Sequence, residues 1–133
     1  MNLCCVLGTG VDLVENERMR EVIERWGSKF IEKVFLPCER GYCESRALPH
    51  LHYAGRFAVK EAVSKAFGTG FGPHIGLLDI EVVRHGVTGA PSIKLSERAQ
   101  KTAGRLGAGD VLISLAHTRN YAVANALLLR GDV

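Results

Sequence analysis

Two spacings of apolar residues alternate along this chain, and each change of spacing marks the edge of a predicted element. Apolar and β-branched residues gathered around Gly8 and Gly10 predict a strand with a bulge or a close backbone approach. Apolar residues at helical spacing then predict helices, which are bounded by Gly27, Pro37 and Pro49. The elements predicted for the first half are a strand over residues 3–14 and helices over residues 15–26, 28–35, 38–45 and 49–67.

Short apolar segments separated by glycine-containing turns dominate the second half of the chain. They predict a hairpin that turns through residues 85–89, then a helix, then an antiparallel pair of strands. The elements predicted here are strands over residues 77–84, 92–95, 110–117 and 120–129 and a helix over residues 96–106. This order predicts one α+β domain over residues 1–133, in which a long central helix and shorter helices pack on one face of a small, mainly antiparallel sheet.

The composition excludes only a few classes of function. The chain has 133 residues, of which 47% are hydrophobic, and this suits one globular domain with a real core. No apolar run approaches the roughly 20 residues that a membrane-spanning helix needs, and the chain does not open on a basic leader, so we expect a cytoplasmic protein. The net charge of +3 is too mild and too dispersed to indicate nucleic-acid binding. It suits a protein that meets anionic small molecules or an acidic partner.

The four cysteines offer one metal-binding alternative. Without a secretion signal, we expect reduced thiols rather than disulfides. Cys38 and Cys43 lie close in sequence to His50 and His52, which would suggest zinc, but this spacing matches none of the common zinc-binding frames. We therefore favour thiols packed among helices and histidines on the surface.

The central helix carries a carboxylate among apolar neighbours. Phe57, Glu61 and Lys65 lie four residues apart and share one face of this helix. On an exposed helix, Glu61 and Lys65 would form an ordinary pair worth about 0.2–0.5 kcal/mol. This helix is apolar nearly all round, however, which is typical of a buried helix. A buried carboxylate requires a partner or a metal.

A second acid, Asp12, follows the first apolar strand and precedes a helix. It would serve there either as a helix N-cap or as a metal ligand. Magnesium is usually held by one or two carboxylates together with substrate phosphates, and water fills its remaining positions. Asp12 and Glu61, each on a rigid element, therefore predict a Mg²⁺ site.

Two glycines and a histidine add weaker signals. Gly68 is placed to end the central helix, and the turn through Gly70 also offers backbone N–H groups to a phosphate. This turn is not a Walker loop, because it follows a helix and lacks the Gly-Lys-Ser/Thr ending. His117 ends an apolar strand, where an open site would place a polar group. The other histidines are interpreted as surface residues.

Three blocks of sequence together resemble the holo-acyl-carrier-protein synthase family, the short, single-domain 4′-phosphopantetheinyl transferases. They are Gly-Thr-Gly-Val-Asp at residues 8–12, Gly-Arg-Phe-Ala-Val-Lys-Glu-Ala-Val-Ser-Lys-Ala at residues 55–66, and Ser-Leu-Ala-His-Thr at residues 114–118 followed by Tyr-Ala at residues 121–122. The blocks occur in the family's order with similar spacing, and the central block is highly specific. Residues 48–53 depart from the family pattern without touching the metal or phosphate positions.

The resemblance implies an activity and a set of site residues. Members of this family transfer the 4′-phosphopantetheine arm of coenzyme A to a serine of apo acyl carrier protein in fatty acid biosynthesis, release adenosine 3′,5′-bisphosphate and use Mg²⁺. By this resemblance, the metal ligands are Asp12 and Glu61, and the groups that act in catalysis are Asp12, Glu61, Lys65 and His117. The implied contacts to coenzyme A are Arg56, Lys65, Gly68, Gly70, His117 and Thr118. The proton acceptor stays open between a metal-bound water and one of the two carboxylates, with His117 as a weaker candidate.

The resemblance also implies partners. Acyl carrier proteins of this class are acidic, and Arg18, Arg25 and Lys29 match positions on the carrier-docking helix of the family. The alternative for these three residues is a solvated charged face. The family further implies a homotrimer with sites between neighbouring subunits, which nothing in the composition indicates. The alternative function is a non-catalytic module that binds coenzyme A or a carrier protein without turnover.

Overall fold

The computed structural model describes residues 5–131, which form five α-helices and five strands. In chain order these elements are β1 (Val6–Glu15), α1 (Asn16–Trp26), α2 (Ser28–Val34), α3 (Pro37–Glu44), α4 (Pro49–Phe67), β2 (Ile80–Arg84), β3 (Pro91–Leu95), α5 (Glu97–Arg105), β4 (Ala108–His117) and β5 (Tyr121–Arg130). The predicted α+β order is confirmed, although residues 3 and 4 of the predicted first strand lie outside the described residues. Between residues 5 and 131, no helix combines the length and the apolar character that crossing a membrane requires.

Helix α4 forms the centre of the fold and packs on a three-stranded antiparallel sheet of order β1-β5-β4. Small residues on the inner face of the central strand let this helix approach closely. Ala122, Ala124, Ala126 and Leu128 of β5 are each at most 1% exposed. Because nearly every side of α4 is covered, most of its polar side chains are surrounded by protein rather than by water.

Two glycines bring β1 against α4. A Cβ atom at Gly8 would lie 2.0 Å from Ala66 O, and a Cβ atom at Gly10 would lie 1.9 Å from Ala62 O. No side chain fits such a gap, so only glycine allows this approach. The register of β1 against β5 also shifts between Val6 and Gly8. The bulge and the close backbone approach predicted for this strand are both confirmed.

The strands form two sheets within residues 5–131, rather than the single sheet expected. Strands β2 and β3 pair only with each other, as an antiparallel hairpin. Residues Leu77–Asp79, predicted to begin a strand, instead form a 3-10 turn. Asp79 explains the difference, because one of its carboxylate oxygens accepts from Gly76 N at 2.6 Å and the other accepts from Ser96 Oγ at 2.6 Å. These bonds complete the turn and tie it to the start of α5.

A buried ion pair joins α3, α4 and β2. Lys60 and Glu39 are 0% and 1% exposed, and Lys60 Nζ lies 2.8 Å from Glu39 Oε1. Lys60 Nζ also donates to Leu77 O at 3.0 Å and to Ile80 O at 2.6 Å. The other carboxylate oxygen of Glu39 accepts from Val82 N at 2.8 Å. The hairpin is therefore anchored to the central helix through charged groups that have no contact with water.

The outer face of the three-stranded sheet is largely apolar and exposed. Its side chains form three rows across the strands, which together are termed the outer sheet face: Thr9–Leu127–Leu112, Val11–Asn125–Ser114 and Leu13–Val123–Ala116. Val11 and Leu13 are each 59% exposed, and Leu112 is 53% exposed. The apolar residues are interrupted in the middle row, where Ser114 Oγ donates to Asn125 Oδ1 at 2.6 Å. Exposed apolar side chains gathered in this way are typical of interaction surfaces.

Candidate active site

The two predicted metal ligands line one cavity. Asp12 of β1 and Glu61 of α4 both contribute to a cavity of about 510 Å³. Lys65, one helical turn beyond Glu61, donates from Nζ to Asp12 Oδ1 at 3.1 Å and to Val11 O at 2.9 Å. The fold thus brings together Asp12, Glu61 and Lys65, which are termed the carboxylate site.

Like charges face each other in the carboxylate site. Burial raises the pKa of Glu61, the negative charge of Asp12 raises it further, and Lys65 opposes both effects. Within residues 5–131, no group of three or more His, Cys, Asp or Glu side chains is placed to hold a metal ion. A cation here would therefore take two protein carboxylates and complete its coordination with substrate and water oxygens. That donor chemistry fits Mg²⁺.

A second cavity, of about 340 Å³, is lined by cations gathered around one aromatic ring. The guanidinium carbons of Arg46, Arg56 and Arg84 lie 4.9, 4.2 and 5.0 Å from the centroid of the Tyr42 ring. His52 meets the same ring edge-on, with the centroids 5.6 Å apart. The arginine pocket is the name used below for the cavity formed by Tyr42, Arg46, His52, Arg56, Arg84 and His117.

Other protein groups do not neutralise the arginine pocket. None of the residues that line it is acidic. In the part of the chain that the structure describes, no ion pair involves any of its three arginines. Arg56 is only 5% exposed, and its Nε has no hydrogen-bond partner among the described residues. Uncompensated guanidinium charge with an unused donor favours an anionic ligand.

His117 reaches the arginine pocket because α4 has a glycine opposite it. A Cβ atom at Gly55 would lie 2.7 Å from His117 Cε1, so a larger residue would push the imidazole away. Burial lowers the pKa of both His117 and His52, and the charge of Arg56 lowers each further. Both rings are therefore neutral near pH 7. The expectation that His52 is a surface residue is wrong, because it lies 6.5 Å from the His117 ring inside the pocket.

The predicted site residues are divided between the two cavities. Arg56 and Glu61 both lie on α4, but five residues rotate a helix by about 140° from the starting direction. Asp12 lines the cavity with Glu61, and His117 lines the cavity with Arg56. One chain therefore presents two separate cavities that face different sides of its central helix.

Other residues implied to contact coenzyme A lie outside both cavities. Gly68 ends α4 with a left-handed φ of 78°, as predicted for the helix end, and Gly70 follows with a φ of 65°. Thr118 lies in the turn after β4, where its Oγ1 accepts from Tyr121 N at 2.9 Å. Gly68, Gly70 and Thr118 line neither the cavity of the carboxylate site nor the arginine pocket.

The three predicted carrier-docking residues are all exposed. Arg18 also lines the cavity that contains Asp12 and Glu61. Arg25, near the end of α1, lies 5.3 Å from the centroid of the Trp26 ring, and that tryptophan is 53% exposed. Arg18 thus lies on α1 at the edge of the carboxylate site.

The zinc alternative finds no support in the described residues. Cys43 is fully buried in the core, while the exposed Cys38 donates from Sγ to Glu81 Oε2 at 2.7 Å. His52 turns toward Tyr42 rather than toward a thiol. Between residues 5 and 131, these side chains do not gather around a common point.

Comparison with known proteins identifies the family. The family model described as the 4′-phosphopantetheinyl transferase superfamily matches residues 8–126, and the chain belongs to this superfamily. It is 46% identical to holo-[acyl-carrier-protein] synthase of Ruminiclostridium cellulolyticum, over 92% of each chain. It is 42% identical to the protein of the same name from Syntrophus aciditrophicus, over 92% of this chain and 95% of that one. The crystal structure of a holo-(acyl-carrier-protein) synthase from Bacillus anthracis in complex with CoA (3′,5′-ADP) is 30% identical, with a TM-score of 0.80 over 96% of this chain and 100% of that one.

Proposed function

We propose that this protein transfers the 4′-phosphopantetheine arm of coenzyme A to a serine of an apo acyl carrier protein of fatty acid biosynthesis and releases adenosine 3′,5′-bisphosphate. The observation that carries the proposal is the combination of a two-carboxylate site beside Lys65 with a separate pocket of unpaired arginines. Coenzyme A has matching chemistry, because it carries a diphosphate and a further phosphate on its ribose. The names of the related proteins agree with this activity.

The carboxylate site serves the reacting diphosphate. The serine oxygen attacks the β-phosphorus, a new P–O bond forms, and the bond from that phosphorus to the oxygen of the adenosine-linked phosphate breaks. Asp12 and Glu61 would hold Mg²⁺, which when bound neutralises charge on the diphosphate. Lys65, whose Nζ lies 3.1 Å from Asp12 Oδ1, would add a further positive charge next to the diphosphate. The two carboxylates are also the nearest candidates to accept the proton of the serine.

The arginine pocket serves the ribose phosphate. A phosphomonoester is a dianion with three acceptor oxygens, and guanidinium groups bind such oxygens with paired donors. Arg56 has an unused, buried Nε donor for this purpose. Burial lowers the pKa of His52 and His117, and an anion that enters the pocket raises it again. Each imidazole can then take up a proton and attract the anion.

In the proposed assembly, the carboxylate site and the arginine pocket form the two halves of one complete site. We place each complete site between neighbouring copies in a homotrimer, with the carboxylate site from one copy and the arginine pocket from the next. The exposed apolar outer sheet face, in which Val11 and Leu13 are each 59% exposed, supports such an association.

We place the protein in the cytoplasm. Cys38 and Cys43 are free thiols. Free thiols suit a reducing compartment, where disulfides rarely persist.

The carrier protein docks on the basic residues of α1 and α2. Arg18 lines the same cavity as Asp12 and Glu61, so a carrier held there brings its serine to the diphosphate. Arg18→Glu should weaken binding of the acidic carrier much more than binding of coenzyme A, because it reverses the sign of a direct carrier contact but leaves the arginine pocket intact. Arg105→Glu, at an exposed position on α5, is the matched control. Unchanged carrier affinity in Arg18→Glu would remove this docking proposal.

Mass spectrometry of the carrier tests the activity directly. With coenzyme A and Mg²⁺, the wild-type chain should add the phosphopantetheine arm to an apo carrier protein, and chelation should stop the transfer. Asp12→Ala and Glu61→Ala should remain folded by circular dichroism and lose at least about 100-fold in rate. Asp110→Ala, an exposed acid on β4, should retain the wild-type rate. Coenzyme A or carrier binding without any transfer by the wild-type chain would instead identify a non-catalytic binding module.

A further inference from the structure

Three guanidinium groups from different parts of the chain share one aromatic ring. Arg46 comes from the segment between α3 and α4, Arg56 from α4, and Arg84 from the end of β2. Their guanidinium carbons all lie between 4.2 and 5.0 Å from the centroid of the Tyr42 ring. The Tyr42 hydroxyl oxygen also accepts a hydrogen bond from Arg84 Nη1.

The three like charges repel one another, and the ring offsets part of that repulsion. A guanidinium close to an aromatic ring is attracted by the ring's electron density, and the attraction grows when water is excluded. No carboxylate offsets the three charges in the described structure. Arg84 has one further anchor, because its Nε donates to Gly89 O at 3.3 Å. The ring is therefore the common support of all three arginines before any ligand enters.

We propose that Tyr42 is a positioning residue, whose ring and hydroxyl hold Arg46, Arg56 and Arg84 together as one binding site for the ribose phosphate of coenzyme A. This inference rests on the function proposed above and adds the residue that organises the arginine pocket. Tyr42 acts through the arginines and has no part in the bond that is made or broken. Its contribution belongs to recognition of one phosphate and not to the chemical step.

A donor that lacks the ribose phosphate separates this role from a purely structural one. Dephospho-coenzyme A carries the same diphosphate and arm but has nothing to place among the arginines. In Tyr42→Leu, the ratio of kcat/KM for coenzyme A to kcat/KM for dephospho-coenzyme A should fall by about tenfold or more, since three attractions to the ring are lost. A residue that only supports the core would lower both values together and leave the ratio unchanged, and that result would overturn the proposal.

Tyr42→Phe provides a second variant, because one edge of Tyr42 also packs on the core and Tyr42→Leu risks unfolding. Phenylalanine keeps the ring and removes only the acceptor for Arg84. The ratio should fall by about two- to threefold. The same substitution should have no effect on the ratio in an Arg84→Ala background. A ratio that does not change when Arg84 is present, or that changes equally in both backgrounds, would contradict the assignment.

The wild-type chain distinguishes failure of this inference from failure of the proposed function. If the wild-type chain transfers the arm from neither donor, the proposed function fails and the role of Tyr42 fails with it. If the wild-type chain transfers the arm and prefers coenzyme A, but both Tyr42 variants keep that preference, only the positioning role is wrong.

Discussion

We expect His117 and His52 to make the folded chain less stable in acid. Burial and the charge of Arg56 lower the pKa of both imidazoles in the folded state, so the unfolded chain takes up protons first as the pH falls. The free energy of unfolding should therefore be independent of these groups above about pH 7.5 and should decrease as the pH falls through about 6.5, the ordinary pKa of histidine. Urea unfolding between about pH 5 and pH 8 measures this dependence.

Substitution of one histidine checks the assignment. His117→Gln should flatten the decrease in the free energy of unfolding below about pH 6.5, because one of the two lowered pKa values is removed. His74→Gln, at an exposed position outside the arginine pocket, is the matched control and should keep the wild-type profile. A wild-type profile in His117→Gln would show that its imidazole does not cause the acid sensitivity.

At the residue scale, the sequence predicts groups that stand out from their neighbours. Asp12 after an apolar strand and Glu61 within an apolar helix were recognisable as acids in surroundings that rarely hold them. Tyr42 and Arg84 were not recognisable, because an isolated aromatic residue and an isolated cation have no spacing that marks a site. Only the fold places Arg84, 42 positions away along the chain, against the Tyr42 hydroxyl.

Among the elements, the buried pair between Lys60 and Glu39 holds the hairpin on the central helix. Glu39→Gln keeps the size of the side chain but leaves the charge of Lys60 without a carboxylate to balance it in a place that water does not reach. The free energy of unfolding should fall by roughly 3–5 kcal/mol, which urea denaturation measures. Glu32→Gln is the matched control, because Glu32 is 63% exposed and lies 3.7 Å from Arg40. If both variants lost a similar free energy of unfolding, the large effect expected from burial of the pair would be wrong.

The contact between β1 and α4 depends on the absence of a side chain at Gly10. In Gly10→Ala, the new Cβ atom would lie 1.9 Å from Ala62 O, so the strand and the helix must separate. The free energy of unfolding should fall by at least about 2 kcal/mol. Separation should also weaken Mg²⁺-dependent transfer, because Asp12 moves away from Glu61.

A second glycine provides the control for Gly10. A Cβ atom at Gly41, within α3, would meet nothing within 4 Å. Gly41→Ala should therefore raise the free energy of unfolding by about 0.5–1 kcal/mol, as alanine does within helices. Thermal unfolding of both variants compares them, and a stabilised Gly10→Ala would contradict the close approach of β1 and α4.

At the element scale, local chemistry predicts where helices begin and end. Glycine and proline marked the ends and the beginnings of the predicted helices close to their observed boundaries, because each acts on the backbone locally. The 3-10 turn at Leu77–Asp79 was not predictable in this way. The turn depends on a hydrogen bond between Asp79 and Ser96, which lies beyond two further strands in the chain. The spacing of apolar residues near Asp79 does not indicate that contact.

At the scale of the whole molecule, the sequence predicts the elements better than their grouping. The order of strands and helices was correct, but nothing in apolar spacing separates five strands into sheets of three and two. The resemblance implied sites between neighbouring subunits, but apolar spacing does not predict which residues line which cavity. Arg56 and Glu61 are close in sequence and belong to one motif, and only the rotation along α4 places them on different sides.

The homotrimer proposed above would make activity depend on association of copies. Leu112→Lys places a charge on the outer sheet face, where Leu112 is 53% exposed and pairs across the sheet with Leu127. Burying that charge in an interface is costly. The variant should therefore elute as a single copy in size-exclusion chromatography with light scattering, whereas the wild type should elute as the proposed trimer. Transfer should then fall by roughly 100-fold, because each copy keeps the carboxylate site but loses its neighbour's cations. Val87→Lys, at a position that is 91% exposed near the hairpin turn, should retain both assembly and rate. A single-copy Leu112→Lys with the wild-type rate would show that one chain completes the site by itself.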